Sequence, residues 1–339
     1  MTPPPDCPKQ MIFGPCGGVR ANGDCEVVDG QPCVFLESPL IRWPEEANPP
    51  AATAVGVDSG RPFVITDLHV RPRHLGSLRD VIRRLQGTCD AVLVGDHGGT
   101  RNDFPPAFVA AAILAEGISP WVTLSCRDRN RVALAAECAA LAEIGVAGVH
   151  CVTGDWQGVA GGQGETKVFD LDALRLVDLA RGYGLTVSVA AAPAAPPTHL
   201  RAARLAEKVR AGAQLCLVNH AGGPAPVTRF VARAREFGAD IPFVPCIPFL
   251  SDRASVQTLA SLPGLVLDPT AVDAAGHDPE GATGGITVAV AEAAAMMAID
   301  GVAGVNLSGS ASKASEVDSA ELMANLGRRI RQTGGRVRT

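Results

Sequence analysis

From about residue 62 the chain alternates between two textures. Short apolar, β-rich runs occur at Phe63–Leu68, Ala91–Gly95, Trp121–Ser125, Gly148–Thr153, Leu185–Ala190, Gln214–Val218, Ile241–Cys246 and Gly304–Leu307. Between them lie segments with apolar residues at helical spacing, near 75–86, 105–116, 130–144, 170–182, 198–211, 225–237, 253–261 and 285–299, and a last one covers 316–332. Strictly alternating βα units predict a parallel sheet with right-handed crossovers. Eight such units over roughly 275 residues match the usual size of a closed barrel. The open alternative would carry a Gly-x-Gly-x-x-Gly turn after its first strand, and none follows Phe63–Leu68. The expected fold is therefore α/β, a (β/α)8 TIM barrel over residues 62–335. Residues 1–43 read as a small Cys-rich module, and residues 44–61, rich in Pro, Ala and Glu, as a linker.

A barrel puts its active site at the C-terminal ends of its strands. Polar residues gather there: Asp67-Leu68-His69, Gly95-Asp96-His97, Ser125-Cys126-Arg127-Asp128, Thr153-Gly154-Asp155, Asn219-His220 and Asn306-Leu307-Ser308. Helix capping explains Asp128 and Ser308 equally well. It fits Asp155 poorly, because the Gly-rich stretch 158–164 separates Asp155 from a helix that starts near Asp170.

Composition narrows the partners. Of 339 residues, 47% are hydrophobic and only 4% aromatic, the Ala/Val/Leu texture of a parallel sheet covered by helices. No apolar run approaches the ~20 residues of a bilayer span, and the first residues lack the basic start and apolar stretch of a secretory signal. A net charge of −5 with interspersed signs points away from nucleic acid and from a polybasic membrane contact. The expectation is a cytoplasmic protein with a small-molecule substrate; a homo-oligomer is left open.

Four of the ten cysteines, Cys7, Cys16, Cys25 and Cys33, fall in the first tenth of the chain. Thiolates on glycine-bent loops can reach a tetrahedral metal, zinc or iron–sulfur. The spacing lacks a Cys-x2-Cys knuckle, so free cysteines packed on the barrel and a disulfide remain alternatives. Structural zinc is the expected occupant, because about 40 residues make too small a core to hold themselves. The other six cysteines, one per element, read as small buried hydrophobes.

Three stretches carry a resemblance: Ser125-Cys126-Arg127-Asp128-Arg129-Asn130-Arg131, Val152-Thr153-Gly154-Asp155, and Lys167-Val168-Phe169-Asp170-Leu171-Asp172. With Leu205–Ala213 and Phe63–Thr66 in register, residues 62–310 resemble the methylenetetrahydrofolate reductase family. The run Phe13-Gly14-Pro15-Cys16-Gly17-Gly18-Val19, followed by Gly23-Asp24-Cys25-Glu26-Val27, resembles the cysteine-rich domain that accompanies some of these reductases at their C-terminus.

The resemblance implies hydride transfer from NADH or NADPH to 5,10-methylenetetrahydrofolate, giving 5-methyltetrahydrofolate. It assigns Asp155 the negative charge beside the pterin and Asn219 the folate-binding amide. It also gives a substrate role to Asp96, and Thr153 beside Asp155 is a further substrate-binding candidate; Arg127 and Arg129, read from their own pattern, form either an anion grip at a helix start, for a phosphate or folate's glutamate tail, or a plain charged first turn. The family's acid on the first strand aligns with Leu68, which would leave Asp67 facing outward unless a one-residue slip restores it as the acid. The flavin positions are eroded: Thr123 replaces a histidine, Ala192 replaces a larger residue, and Lys208 and Asp170 remain. FAD is thus in question, and direct transfer from the nicotinamide is the favoured form. Two other functions stay open: a folate-dependent one-carbon transferase of specialised metabolism, and a non-catalytic folate-binding partner subunit.

Overall fold

In the computed structural model, eight strands lie side by side in chain order: β1 (Phe63–Asp67), β2 (Ala91–Val94), β3 (Ser119–Ser125), β4 (Gly148–Val152), β5 (Val187–Ala191), β6 (Leu215–Val218), β7 (Phe243–Pro248) and β8 (Gly304–Ser308). Every pairing is parallel, and β8 returns to β1 to close the barrel. The described residues are 4, 6–44, 61–95, 103–156, 167–262, 264–277, 283–309 and 315–334. Most of the expected linker and both Asp96 and His97 lie outside them.

Helices α1 (Leu75–Leu85), α2 (Pro106–Ala115), α3 (Arg131–Ile144), α4 (Ala173–Gly182), α5 (Arg201–Arg210) and α6 (Pro224–Glu236) follow the first six strands. Three helices separate β7 from β8: α7 (Arg253–Ala260), α8 (Pro269–His277) and α9 (Thr283–Met297); α10 (Glu316–Gly334) follows β8. The sequence reading has no helix at α8. Helix starts follow ordinary capping chemistry. Asn130 accepts from the N–H of Ala133 at α3, and Asp172 from that of Arg175 at α4. Asn130 thus caps α3, rather than Asp128.

On α1, Leu78, Val81, Ile82 and Leu85 form one buried stripe against the barrel. Each such side chain contributes about 1.5–3 kcal/mol of burial. The barrel interior is filled by Phe63, Ile65, Ala91, Trp121, Leu215, Leu217 and Val244. The Trp121 indole fits only because position 148 is glycine: a Cβ there would sit 2.6 Å from its ring. Its Nε1–H donates to the Ser188 hydroxyl at 2.8 Å. Cys89, Cys126, Cys138, Cys151 and Cys216 join the outer core as expected. Cys246 instead faces the cavity at the C-terminal ends of the strands.

Residues 6–44 run as turns and bends, with one bridge pairing Asp24 with Pro32. Their apolar residues Ile12, Phe13 and Trp43 are buried in the barrel's own outer core, and the Phe13 and Trp43 rings lie 4.9 Å apart. Polar contacts fix the orientation. Arg204 Nη1 donates to the Phe13 carbonyl at 3.0 Å, and Glu207 accepts from the N–H of Trp43 at 2.7 Å. The segment therefore covers the side of the barrel built by β4, β5 and α5.

Candidate active site

A cavity of about 610 Å³ opens at the C-terminal ends of the strands. Asp67, Leu93, Thr123, His150, Ala190, Leu217, Cys246 and Asn306, one from each strand, form a single ring around it. Above the ring stand Asn219, His220 and Ser308, and on the β4 side Arg127, Thr153, Gly154 and Asp155.

Asp67 corrects the expectation that it faces outward. Ile65 pairs with Ala91 and Asp67 with Leu93, so Phe63, Ile65 and Asp67 share the inner face, while Leu68 packs against the outer core. No slip or bulge is involved. Asn306 Nδ2 donates to Asp67 Oδ1 at 2.9 Å. Burial pushes the Asp67 carboxyl up to about 6, with the Asn306 hydrogen bond pulling the other way. The buried Asn306 Oδ1 has no hydrogen-bond partner among the described residues, which leaves an acceptor for a bound molecule.

The two cavity histidines are held neutral. Burial, reinforced by the charge of Lys208, lowers His150 to about 3, and its Nδ1 lies 2.9 Å from the Ser188 hydroxyl. Burial lowers His220 to about 4, and its Nε2 lies 2.8 Å from Ser308 Oγ. Ser308 thus serves β8 and the cavity, not a helix start.

Asp155 is exposed at the cavity rim, where its carbonyl accepts from Arg127 Nη1 at 3.4 Å. Gly154 is positive in φ at 93°, and a Cβ there would meet the Ser125 hydroxyl, so this turn after β4 requires glycine. Thr153 Oγ1 accepts from the N–H of Ala173, which ties the same turn to α4. Arg127 is buried and paired with Asp128 at 2.7 Å. Arg129 and Asp170 are not among the residues lining the cavity. Asp170 accepts from the N–H of Arg131 at 2.7 Å, a helix-start contact rather than a cofactor contact.

The first residues of the chain complete the wall. Lys9 forms a buried ion pair with Glu26 and donates to the Gly154 carbonyl at 2.5 Å. Glu26 also accepts from the N–H of Trp156 at 3.2 Å. Met11 and Cys16 line the cavity as well. Sequence reasoning missed Lys9, Met11 and Cys246, and it placed Asn306 at the strand ends without giving it a role. Lys9 and Met11 carry no local signal.

The flavin question turns on the inner face of α5. Arg201 donates to the carbonyls of Ala195 (2.8 Å) and Cys16 (2.7 Å) and to that of Pro196. Arg204 is engaged by Phe13, and Lys208 donates to the Ala190 carbonyl at 2.6 Å. Burial, then the neighbouring Arg204, brings Lys208 down to about 7. Cations that could grip a pyrophosphate are taken up by backbone carbonyls on the N-terminal segment and on or just after β5. With Ala192 facing Gly17 and Asp170 outside the cavity, the residues present do not fit an isoalloxazine dinucleotide.

The family model described as methylenetetrahydrofolate reductase matches residues 73–308, and one described as methylene-tetrahydrofolate reductase C terminal matches residues 1–40. No curated protein matches. Among solved structures, an uncharacterized protein from Clostridium thermocellum that binds two copies of 5-methyl-5,6,7,8-tetrahydrofolic acid superposes with a TM-score of 0.58 at 11% identity, covering 82% of this chain and 98% of that one. Tryptophan synthase from M. tuberculosis gives 0.44 at 14% identity, covering 80% and 94%.

Proposed function

Since the chain belongs to the methylenetetrahydrofolate reductase family, we propose that it reduces 5,10-methylenetetrahydrofolate to the 5-methyl form with hydride taken directly from NADH or NADPH. The observation that carries this reading is Asp67, an inward carboxyl with its proton affinity raised to about 6, held by Asn306 in the ring of the cavity.

The chemistry needs an acid first. Asp67 donates its proton to the departing ring nitrogen as the bond from that nitrogen to the methylene carbon breaks, and an iminium cation remains. The Asp155 carboxylate at the rim supplies a counter-charge to that cation. Hydride from the nicotinamide then reduces the methylene carbon to methyl, the dinucleotide leaves oxidised, and Asp67 regains a proton from solvent. Asn219 and the unpaired Asn306 Oδ1 offer amide contacts to the pterin edge. His150 and His220, being neutral, add no competing positive charge beside the iminium.

A folate-dependent one-carbon transferase is the second reading. What favours it is the engagement of Arg201, Arg204 and Lys208 by backbone carbonyls, which withdraws the α5 cations from dinucleotide phosphates. One experiment separates the readings: the ultraviolet–visible spectrum of the pure protein, NADH and NADPH oxidation with and without methylenetetrahydrofolate, and folate titration. The reductase reading expects colourless protein and folate-dependent oxidation. Folate binding without oxidation replaces it with the transferase or with a folate-binding partner subunit. No folate binding removes all three.

A further inference from the structure

One cavity side chain has a ring atom to spare. His150 on β4 and Ser188 on β5 are register partners on adjoining strands, and His150 Nδ1 lies 2.9 Å from Ser188 Oγ. The His150 Nε2 has no hydrogen-bond partner among the described residues, and it is not shut off from the cavity that the residue lines. His220, the other cavity histidine, is turned the opposite way, with its Nε2 spent on Ser308.

Hydrogen-bond counting fixes what the free nitrogen carries. An indole N–H can only donate, so Trp121 takes one lone pair of Ser188 Oγ, at 2.8 Å. The hydroxyl has a single proton to give, and two acceptors compete for it: His150 Nδ1 at 2.9 Å and the Val149 carbonyl at 3.3 Å. The shorter contact takes the proton. Nδ1 is then an acceptor, and an uncharged ring with a bare Nδ1 carries its hydrogen on Nε2.

The surroundings keep the ring uncharged. Burial, followed by the charge of Lys208 on the Ala190 carbonyl, brings His150 down to about 3. Among the described residues no three His, Cys, Asp or Glu side chains come together as metal ligands, around His150 or at Cys7, Cys16, Cys25 and Cys33. The free nitrogen is therefore not part of a metal site, and the zinc expected at the four cysteines has no formed ligand set.

β4 stands four places from β8 in either direction round the closed ring, so His150 lies across the cavity from Asn306 and its partner Asp67. One wall offers a donor, and the opposite wall an acceptor and an acid. An N–H that lines a site must find its acceptor on whatever displaces the water there.

We propose that His150 is a specificity-determining residue, an imidazole whose Nε2–H donates to an amide-type carbonyl oxygen of the bound reactant. No proton is transferred and no bond is made or broken. The identity of that oxygen rests on the functional reading above, in which two reactants carry one: the 4-oxo group of the pterin and the carboxamide of the nicotinamide. A charged donor in the same place would repel the iminium, whereas an uncharged ring supplies the contact alone.

The ring is tested without ligand. Protein labelled with nitrogen-15 histidine is followed by long-range proton–nitrogen NMR at pH 5 and pH 7, and the His150 signals are identified by their loss in His150→Gln. The expected pattern at both pH values is an uncharged ring with its hydrogen on Nε2. A ring protonated on Nδ1 alone, or on both nitrogens at pH 5, overturns the proposal.

The ligand is tested by separate titrations of wild type, His150→Leu and His150→Gln with 5-methyltetrahydrofolate, NADH and NADPH. Leu should weaken either folate or the nicotinamide dinucleotide at least about tenfold and leave the other within about twofold. Gln, which keeps an uncharged N–H, should recover most of that loss, and the ligand affected identifies the oxygen. Equal loss in Leu and Gln marks a packing role and overturns the proposal, as does unchanged affinity for every ligand in Leu. Circular dichroism shows that each variant is folded. If wild type binds none of the three, the functional reading fails and the choice of oxygen falls with it, while the spectra of the free protein still decide the state of the ring.

Discussion

Asn306 on β8 holds the Asp67 carboxylate of β1 at 2.9 Å, across the seam where the barrel closes. The pair joins the last strand to the first and orients the inward carboxyl in the cavity, where burial, opposed by this bond, raises its proton affinity to about 6. Asp67→Asn keeps shape and hydrogen bonding but removes the acid. Reductase turnover should fall by about 10²–10⁴-fold with folate affinity little changed. Stopped-turnover assays alongside titration read both. A variant within a few-fold of wild type would remove Asp67 as the proton donor.

The same residue predicts a pH effect on stability with a definite sign. Its folded value of about 6 lies above the ordinary 3.8, so its favourable contribution is present below about 4 and is lost as pH rises through 6. Ionised at pH 8, it destabilises by on the order of 2–3 kcal/mol. Asp67→Asn should therefore raise the melting temperature at pH 8 and leave it unchanged at pH 4, which thermal scans at the two pH values will show.

Asn306→Leu removes the hydrogen bond that pulls Asp67 down. The limb on which activity falls as pH rises, where the acid loses its proton, should shift to higher pH, by up to about one unit if the bond has ordinary strength. A simple packing role for Asn306 would lower the rate without moving the limb.

Asp155→Ala tests the counter-charge. Its side chain is exposed, so folding should be unaffected, while folate affinity falls at least about tenfold, on the order of 1.4 kcal/mol. Isothermal titration reads the change, and unchanged affinity takes Asp155 out of the site.

Gly148→Ala tests the barrel interior. The new methyl would press on the Trp121 ring, whose indole N–H is also fixed by Ser188. Overpacking of this kind costs about 1–3 kcal/mol. Chemical denaturation should show that loss, and an unchanged midpoint would mean the ring moves freely.

The alternation of eight apolar runs with amphipathic segments was enough to read the barrel, because βα periodicity is written locally. Two things were not. Helix α8, Pro269–His277, contains proline, glycine and a run of small residues, and shows no stripe to set it apart from a loop. The facing of Asp67 was hidden for a different reason. Phe63, Val64 and Ile65 are all buried, because a barrel strand meets the interior on one side and helices on the other, so hydrophobicity alone cannot tell inward from outward. Only the register with β2 decides it. Among the polar residues at strand ends, those on the strand or directly beyond it reached the cavity, as Thr123, Thr153, Asp155 and Asn219 did. Those further along, Arg129 and Asp170, went to helix starts and loops.

The cavity wall joins parts of the chain made far apart in time. Lys9, Ile12, Phe13 and Cys16 find their partners at Gly154, Asp172, Arg204 and Arg201, between 145 and 191 residues later. A ribosome therefore releases the first segment long before anything exists for it to lean on. Contacts of such separation close late, so the barrel can assemble as an open cup whose ligand pocket gains its last side only when the leading residues fold back.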